Sequence, residues 1–263
     1  MLSDYDGTVA GSDGVIAEET KEALRYFTSE GGLFTVSTGR SFQGFPFFSP
    51  DFINCPVLLA NGALAYDYRA GKKVFFDYID PDKGFLAVNT VIEAFPEVSV
   101  EMYGFGTTYC IHPNEMTLNH FGYQELDYRI IDRPEQAAPP WVKIMIGAGP
   151  QVGIEVQRYL DGRIDDPAYL ATYMSFVELM KKGVNKGTGL KKLARFLGVK
   201  DENIYSVGDG YNDVDMLKAS ALSFCPSNGE PEALEAADVI VRSNSDGAVI
   251  DVIERLEKLR RGK

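Results

Sequence analysis

Two short apolar runs, each ending in a cluster of aspartates, constrain this chain more than any other feature. DYDGT places Asp4 and Asp6 directly after Met1, Leu2 and Ser3, and IYSVGDGYNDVD places Asp209, Asp213 and Asp215 after a second apolar run about two hundred residues later. A strand that ends in a chain reversal aims the residues after it into the crevice beyond the carboxyl ends of a parallel sheet, where open α/β folds bind their ligands. Carboxylates from both runs meeting in one crevice need a cation to balance them.

The segments around these clusters support that geometry. From Glu18 to Glu30, Thr20, Ala23, Leu24 and Phe27 recur at helical spacing, and Gly31 with Gly32 supplies a stop. The strand LFTVS follows. Strand, helix and strand over this distance require a right-handed crossover, which puts Thr38, Gly39 and Arg40 at the same edge as Asp4. VLLA leads into Asn61, Gly62 and Ala63, and ALAYDY and KVFFDY read as a hairpin joined through Arg69 to Lys72. In the last third, Leu190, Leu193, Ala194 and Leu197 mark a helix face that Gly198 stops, and IYSVG delivers GDGYND. A helix near Val214 to Ala219, a strand near Leu222 to Cys225, a helix begun by Pro231, the strand DVIV and a helix from about Gly247 to Leu259 follow.

These are the parts of a doubly wound α/β parallel sheet. Between Pro81 and Lys182 the texture changes: aromatics, prolines and runs such as VSVEMYGFGTTYCI and WVKIMIG interrupt the alternation, with helical stretches near Phe85 to Phe95 and Val152 to Leu160. The expected organisation is a core domain from residues 1–80 and 183–263, with a second α/β domain, 81–182, inserted into it.

Composition narrows the function. With 26 basic against 38 acidic residues the net charge is -12, which opposes tracking along nucleic acid. No apolar stretch approaches the roughly 20 residues of a membrane span, and the N-terminus lacks the layout of a signal peptide. Cys55, Cys110 and Cys225 are isolated thiols without metal-like spacing, pointing to a reducing compartment, the cytoplasm.

Asp4 beside a bound magnesium ion suits nucleophilic attack on a phosphoryl group, and Asp6, two residues on, suits protonation of the leaving oxygen. Gly7 permits the reversal that keeps both in the crevice. An acidic turn is the other reading of DYDGT; a calcium loop is not, because Thr8, Val9 and Ala10 stand where spaced oxygen ligands would follow. Lys186 opens a predicted helix, where the dipole disfavours a cation by up to about 1 kcal/mol, a conflict that a substrate phosphate nearby would resolve. Alternatively it is a solvated lysine. Thr38 offers a hydroxyl and an amide to a phosphoryl oxygen. Asp209 and Asp213 suit a magnesium shell, although helix capping also favours Asp and Asn in GDGYND. Asp215 is expected on the surface, and His112 and His120 are expected to be structural.

Together these residues resemble the haloacid dehalogenase superfamily, and within it the Cof-type phosphatases with a large α/β cap. DYDGT is similar to the first motif, STGR to the second, GVNKG to the third and GDGYND to the fourth, in order and over almost the whole chain. NGA at Asn61 to Ala63, SNG around Asn228 and NSDG before Ala248 add to the likeness.

The resemblance implies a HAD-like, Rossmann-type core with Asp4 as nucleophile and Asp6 as acid and base. Thr38, Gly39, Lys186 and Asn212 would bind the substrate phosphate. Asp4, Asp6, Asp209 and Asp213 would hold Mg2+, Asp6 through its backbone carbonyl. The implied partner is a small phosphorylated metabolite, with a sugar phosphate as a candidate, and neither nucleic acid nor membrane. A phosphomutase of the same fold and a non-catalytic binding protein are the alternatives. Two departures stand out: three residues precede Asp4, so the first strand is short or the start truncated, and SFCPSNG replaces the usual Met-Gly-Asn-Ala-like run.

Overall fold

The computed structural model describes residues 1–11, 14–161, 163–164, 168–172 and 176–262, with 168–172 described by backbone alone. In chain order, β1 (Leu2–Ser3), α1 (Glu18–Ser29), β2 (Thr35–Val36), β3 (Val57–Leu59), β4 (Leu64–Asp67) and β5 (Lys72–Phe76) come first. They are followed by α2 (Pro81–Ala94), β6 (Ser99–Tyr103), β7 (Thr108–Ile111), α3 (Glu115–Tyr123), β8 (Tyr128–Ile130), β9 (Lys143–Gly147), α4 (Gly149–Leu160), β10 (Ala168–Thr172) and β11 (Phe176–Met180). The chain ends with α5 (Lys186–Leu197), β12 (Tyr205–Val207), α6 (Val214–Lys218), β13 (Leu222–Pro226), α7 (Pro231–Ala236), β14 (Val239–Val241) and α8 (Ala248–Arg261). The described residues fall into two compact units.

One unit comprises Met1–Gly39, Phe47–Phe75 and Asn185–Lys263. Its five-stranded sheet has the order β14-β13-β12-β1-β2, with every pairing parallel. The expected alternation of strand and helix is therefore present. The first strand is short, and its two residues are held on both sides: Leu2 pairs with Ser206 and Thr35, and Ser3 with Val207 and Val36. LFTVS contributes regular strand only at Thr35–Val36, because Ser37 already turns into an isolated bridge with Leu58. Apolar residues from this sheet and from α5 and α6, among them Leu2, Leu190, Leu193, Ile204 and Met216, form one core cluster. The helix α5 starts and stops where its sequence says it should. Asn185 accepts from the N–H of Thr188 at 2.8 Å, Thr188 answers by accepting from the N–H of Asn185 at 3.0 Å, and Gly198 takes the left-handed conformation that ends it. The anticipated hairpin is found as β4 and β5, in a three-stranded sheet of order β3-β4-β5.

The other unit comprises Phe76–Val184 together with Arg40–Pro46. Its six-stranded sheet, of order β10-β11-β9-β6-β7-β8, is antiparallel except for the β7 and β8 pair. Alternation along the strands puts Val100, Met102, Ile144, Ile146, Val177 and Leu179 on one face, where they pack with Ala87, Val88 and Val91 of α2 and Val156 and Leu160 of α4. Trp141 is fully buried in this cluster, so it belongs to the core. Sequence periodicity did not indicate α3: it buries only Thr117 and Phe121, and its start is set by Asn114, which accepts from the N–H of Thr117 at 3.0 Å. Among the described residues, no helix is long and apolar enough to cross a membrane.

Candidate active site

Parallel pairing of β1 with β12 brings the two acidic runs together. The N–H of Asp4 donates to the carbonyl of Val207 at 2.9 Å, continuing the ladder past the end of β1. Asp209 leaves the neighbouring strand two residues later, and the turn Tyr211–Asp213 returns Asp213 toward both. Asp4, Asp209 and Asp213 each offer a carboxylate oxygen within 4.8 Å of the others.

The third contributor comes from α5. Lys186 is its first residue and only 1% exposed, so the reading of a solvated lysine is excluded. Its Nζ lies 2.5 Å from Asp4 Oδ1 and 2.7 Å from Asp213 Oδ1. The approach of α5 is close because Gly62, at φ 86°, faces Gly189: a Cβ on Gly62 would lie 2.5 Å from the carbonyl oxygen of Asn185. Asp215 is exposed, as expected, yet it accepts from Asn185 Nδ2 at 2.7 Å and so braces the start of this helix.

Asp213 is held from behind as well as in front. Its Oδ2 accepts from the backbone N–H groups of Asp209 at 3.1 Å and Gly210 at 3.0 Å, leaving Oδ1 to Lys186. The Thr8 hydroxyl donates to Asp209 Oδ1. Gly7 stands against the same carboxylate with φ 83°, and a Cβ there would come within 2.5 Å of Asp209 Oδ2. Glu230 fixes the loop: it accepts from the N–H of Tyr211 at 2.6 Å and donates its own N–H to the Asp209 carbonyl at 2.7 Å. Neither Thr8 nor Glu230 stood out as functional in the sequence. Thr8 could have been found, since a hydroxyl two residues past Asp6 lies in the same reversal.

A polar group surrounds Asn61. Asn61 donates its N–H to the Thr38 carbonyl at 3.0 Å, and Thr38, itself buried, donates its N–H to Leu58 at 2.9 Å. Asn212 Nδ2 donates to Asn61 Oδ1 at 3.0 Å, and a Cβ on Gly39 would sit 3.2 Å from that oxygen. Thr38, Gly39 and Asn212 are thus assembled through Asn61. Asp6 is half-buried, its backbone in a bridge with Ala10, and its carboxylate is not one of the three clustered ones. Both histidines belong to the other unit, His112 exposed and His120 beside Glu101.

The electrostatics of the cluster favour a cation. Burial pushes the Asp4 carboxyl well above its usual range; Lys186 opposes that, and Asp213 and Asp209 add to it. Burial likewise pushes Asp209 up to about 6, with the Thr8 hydrogen bond opposing and Asp213 reinforcing. Burial alone would lower Lys186, but Asp213 and Asp4 outweigh it and hold the ammonium charged. Among the described residues, the three clustered carboxylates thus stand beside one ammonium, which pairs directly with Asp4 and Asp213. An all-oxygen donor set with excess negative charge fits a hard divalent cation such as magnesium. A cavity of about 660 Å³ lies elsewhere, beside Met1, Leu33, Leu193 and Tyr205.

A family model of haloacid dehalogenase-like hydrolases matches residues 1–253. The chain belongs to the haloacid dehalogenase-like hydrolases. Over 263 aligned residues this hydrolase is 26% identical to the 5-amino-6-(5-phospho-D-ribitylamino)uracil phosphatase YbjI of Escherichia coli, covering 97% of this chain and 94% of that one. Its fold matches a haloacid dehalogenase-like hydrolase from Bacteroides thetaiotaomicron with a TM-score of 0.87 at 20% identity, over 97% and 98% of the two chains. A subclass IIB sugar phosphatase of the superfamily matches with a TM-score of 0.86, also at 20% identity and over 97% and 98%. The Cof-type resemblance and the inserted α/β unit agree with that subclass. The haloacid dehalogenase-like chain is an enzyme, a hydrolase of the phosphatase type.

Proposed function

We propose that this hydrolase is a magnesium-dependent phosphatase that releases phosphate from a small phosphorylated metabolite through an aspartyl-phosphate on Asp4. One observation carries the reading: Asp4 Oδ1 is held 2.5 Å from Lys186 Nζ, inside a cluster of three carboxylates able to hold a divalent cation.

In this mechanism an Asp4 oxygen attacks phosphorus and the ester oxygen leaves, taking a proton from the Asp6 carboxyl. Asp6 then accepts a proton from the water that attacks the aspartyl-phosphate, which restores both residues. Lys186 orients Asp4 and, with Thr38, the Gly39 amide and Asn212, pairs with the phosphoryl oxygens. Asp4, Asp209, Asp213 and the backbone carbonyl of Asp6 would hold magnesium, which supplies the positive charge that lets an anionic nucleophile approach an anionic phosphate. The acidic cluster itself favours that ion, since burial penalises the ionised carboxylates whose charge it would balance. The segment 81–182 serves as the cap in this reading. The thiols of Cys55, Cys110 and Cys225 are all free and buried, in keeping with a cytoplasmic enzyme.

The test is phosphate release from a panel of sugar, nucleotide and small-acid monophosphates, with and without magnesium, for the wild type and Asp4→Asn. Magnesium-dependent release that disappears in Asp4→Asn is the expected result. A folded wild-type protein that releases phosphate from none of them refutes the reading and shifts weight to a mutase or a binding protein.

A further inference from the structure

The edge of a β-sheet leaves a row of backbone N–H and C=O groups unpaired, and chains usually guard it with lysines, prolines or a covering element. The edge strand β5 follows that pattern, with Lys72 and Lys73 exposed. At the edge of the six-stranded sheet, β8 does not. Its residues Tyr128, Arg129 and Ile130 are all exposed, with neither lysine nor proline among them. Tyr128 is 36% and Ile130 62% exposed, so covering this edge would remove apolar surface from water. The strand is nevertheless fixed within its own unit: it pairs with β7, and Phe121 of α3 stacks on Tyr128 with ring centres 4.3 Å apart.

The register of β8 shows which of its groups are open. Parallel pairing sets Tyr128 opposite Thr108, Arg129 opposite Tyr109 and Ile130 opposite Cys110, and the N–H of Ile131 donates to the Cys110 carbonyl at 2.9 Å. Backbone groups along a strand alternate between its two sides, so Arg129 turns to β7 as Ile131 does, and the N–H and C=O of Tyr128 and Ile130 point away from the sheet. Side chains alternate as well. Tyr128 and Ile130 lie on the polar face of the sheet, which also carries Glu101, Lys143 and Glu178, and Asp127 and Arg129 lie on the other. Both of these charged residues are exposed, and neither has an ion-pair partner among the described residues.

We propose that β8 pairs antiparallel with β8 of a second copy of this chain, about a two-fold axis through Tyr128. On that axis Tyr128 faces its own counterpart, and its outward N–H and C=O exchange two hydrogen bonds across the pair. Asp127 then falls opposite Arg129 of the partner subunit, and Arg129 opposite the partner's Asp127, so each unpaired charge meets its complement twice. Such self-complementarity is what a two-fold interface requires, and it selects a second copy over an unrelated partner. Ile130 packs beside Leu126 of the partner subunit. Moving the axis by one residue, to Arg129, would set two guanidinium groups against each other. Two short strands bury less than the roughly 1,200–2,000 Å² of a stable interface, so the dimer is weak and forms as concentration rises. Pairing through β8 uses none of the residues assigned to phosphate release.

Sedimentation velocity from micromolar to millimolar protein tests this, with charge variants made on the full chain. The wild type is expected to pass from one to two copies and to stop there. Arg129→Asp and Asp127→Arg each set like charges opposite one another at both ends of the pairing, and each should raise the dissociation constant by about tenfold or more. The double variant restores both pairs and should return it to near the wild-type value; a variant that merely damaged the fold would not be rescued in this way. Cysteine cross-linking reads the register, since the native thiols are all buried. Tyr128→Cys places two Cα atoms about 5.5 Å apart across the axis, a span that a disulfide bridges. Ile130→Cys leaves them four positions apart along the ladder, about 13 Å, and should not cross-link. A chain that stays single at millimolar concentration, assemblies that grow beyond two copies, single variants without effect, a double variant that is not rescued, or equal cross-linking at the two positions overturns the proposal.

Discussion

Lys186 Nζ lies 2.5 Å from Asp4 Oδ1, although 182 positions separate the two residues in the chain. The ammonium also reaches Asp213 at 2.7 Å, so one cation from a helix start joins both acidic runs. Breaking a buried ion pair from one side costs about 3–5 kcal/mol. Lys186→Met is therefore expected to lower the magnesium-free melting temperature sharply and to reduce phosphate release at least a hundredfold. Thermal denaturation and a phosphate assay check the two effects, and magnesium should recover more of the stability than of the activity.

The burial of Asp209 predicts how stability without metal depends on pH. Its carboxyl is raised from 3.8 to about 6, so folding favours its protonated form. The contribution is fully present below the unfolded value and is lost as pH rises through the folded one. In EDTA, the melting temperature of the wild type should therefore fall relative to Asp209→Asn between pH 5.0 and 7.5. Magnesium should reverse that fall, and bind more weakly at pH 5.0, where protons compete for the same oxygens.

Thr8 tunes the same carboxylate. Its hydroxyl donates to Asp209 and opposes the upward shift. Thr8→Val removes a hydrogen bond to a charged group, an effect of about 1.5–3 kcal/mol. Magnesium affinity at pH 7 should drop by about tenfold, read by calorimetric titration, while Thr8→Ser should retain most of it.

Gly7 has no room for a side chain. Its φ of 83° disfavours any other residue, and a Cβ would lie 2.5 Å from Asp209 Oδ2. Left-handed backbone costs an L-residue about 1–2 kcal/mol before the contact is counted. Gly7→Ala is expected to lower the denaturation midpoint and weaken magnesium binding together. A variant with native affinity would show that the reversal tolerates a side chain.

Away from the site, Asp251 ties α8 to the end of β14. It accepts from the N–H of Arg242 at 3.1 Å and from Arg255 Nε at 2.8 Å. Burial would raise this carboxyl, but the Arg255 and Arg242 interactions outweigh it and hold it below the usual 3.8. Its stabilisation is present above the unfolded pKa and is lost as pH falls through the lower folded value. Asp251→Asn should therefore destabilise the protein at pH 7 by about 1 kcal/mol, and the difference from wild type should vanish in strong acid.

Local signals made much of this protein legible. Helix periodicity and caps located α1, α5 and α8 to within a few residues, because Asn185 and Gly198 act on their immediate neighbours. Strand, helix and strand in succession implied parallel pairing, which β1, β2 and β12 display. The helix α3 was not legible, since its buried side is only Thr117 and Phe121 and leaves no stripe to read. Nor was the polar face of the second sheet. Glu101, Lys143 and Glu178 are ordinary surface-type residues in the sequence, and only the register of β6, β9 and β11 shows that they lie on one face.

The sequence by itself determined the alternation of elements, the ends of the strands that carry aspartates, and the order of the four motifs. Those depend on residues within a turn or two of one another, where backbone sterics and capping act. Only the tertiary structure decided that Lys186 is a buried partner of Asp4 rather than a solvated lysine, that Thr8 restrains Asp209, and that Asn61 joins Thr38 to Asn212. Hydrogen bonds and ion pairs form over about 3 Å whatever the separation along the chain, and parallel pairing of strands far apart in sequence is what brings these side chains within that reach.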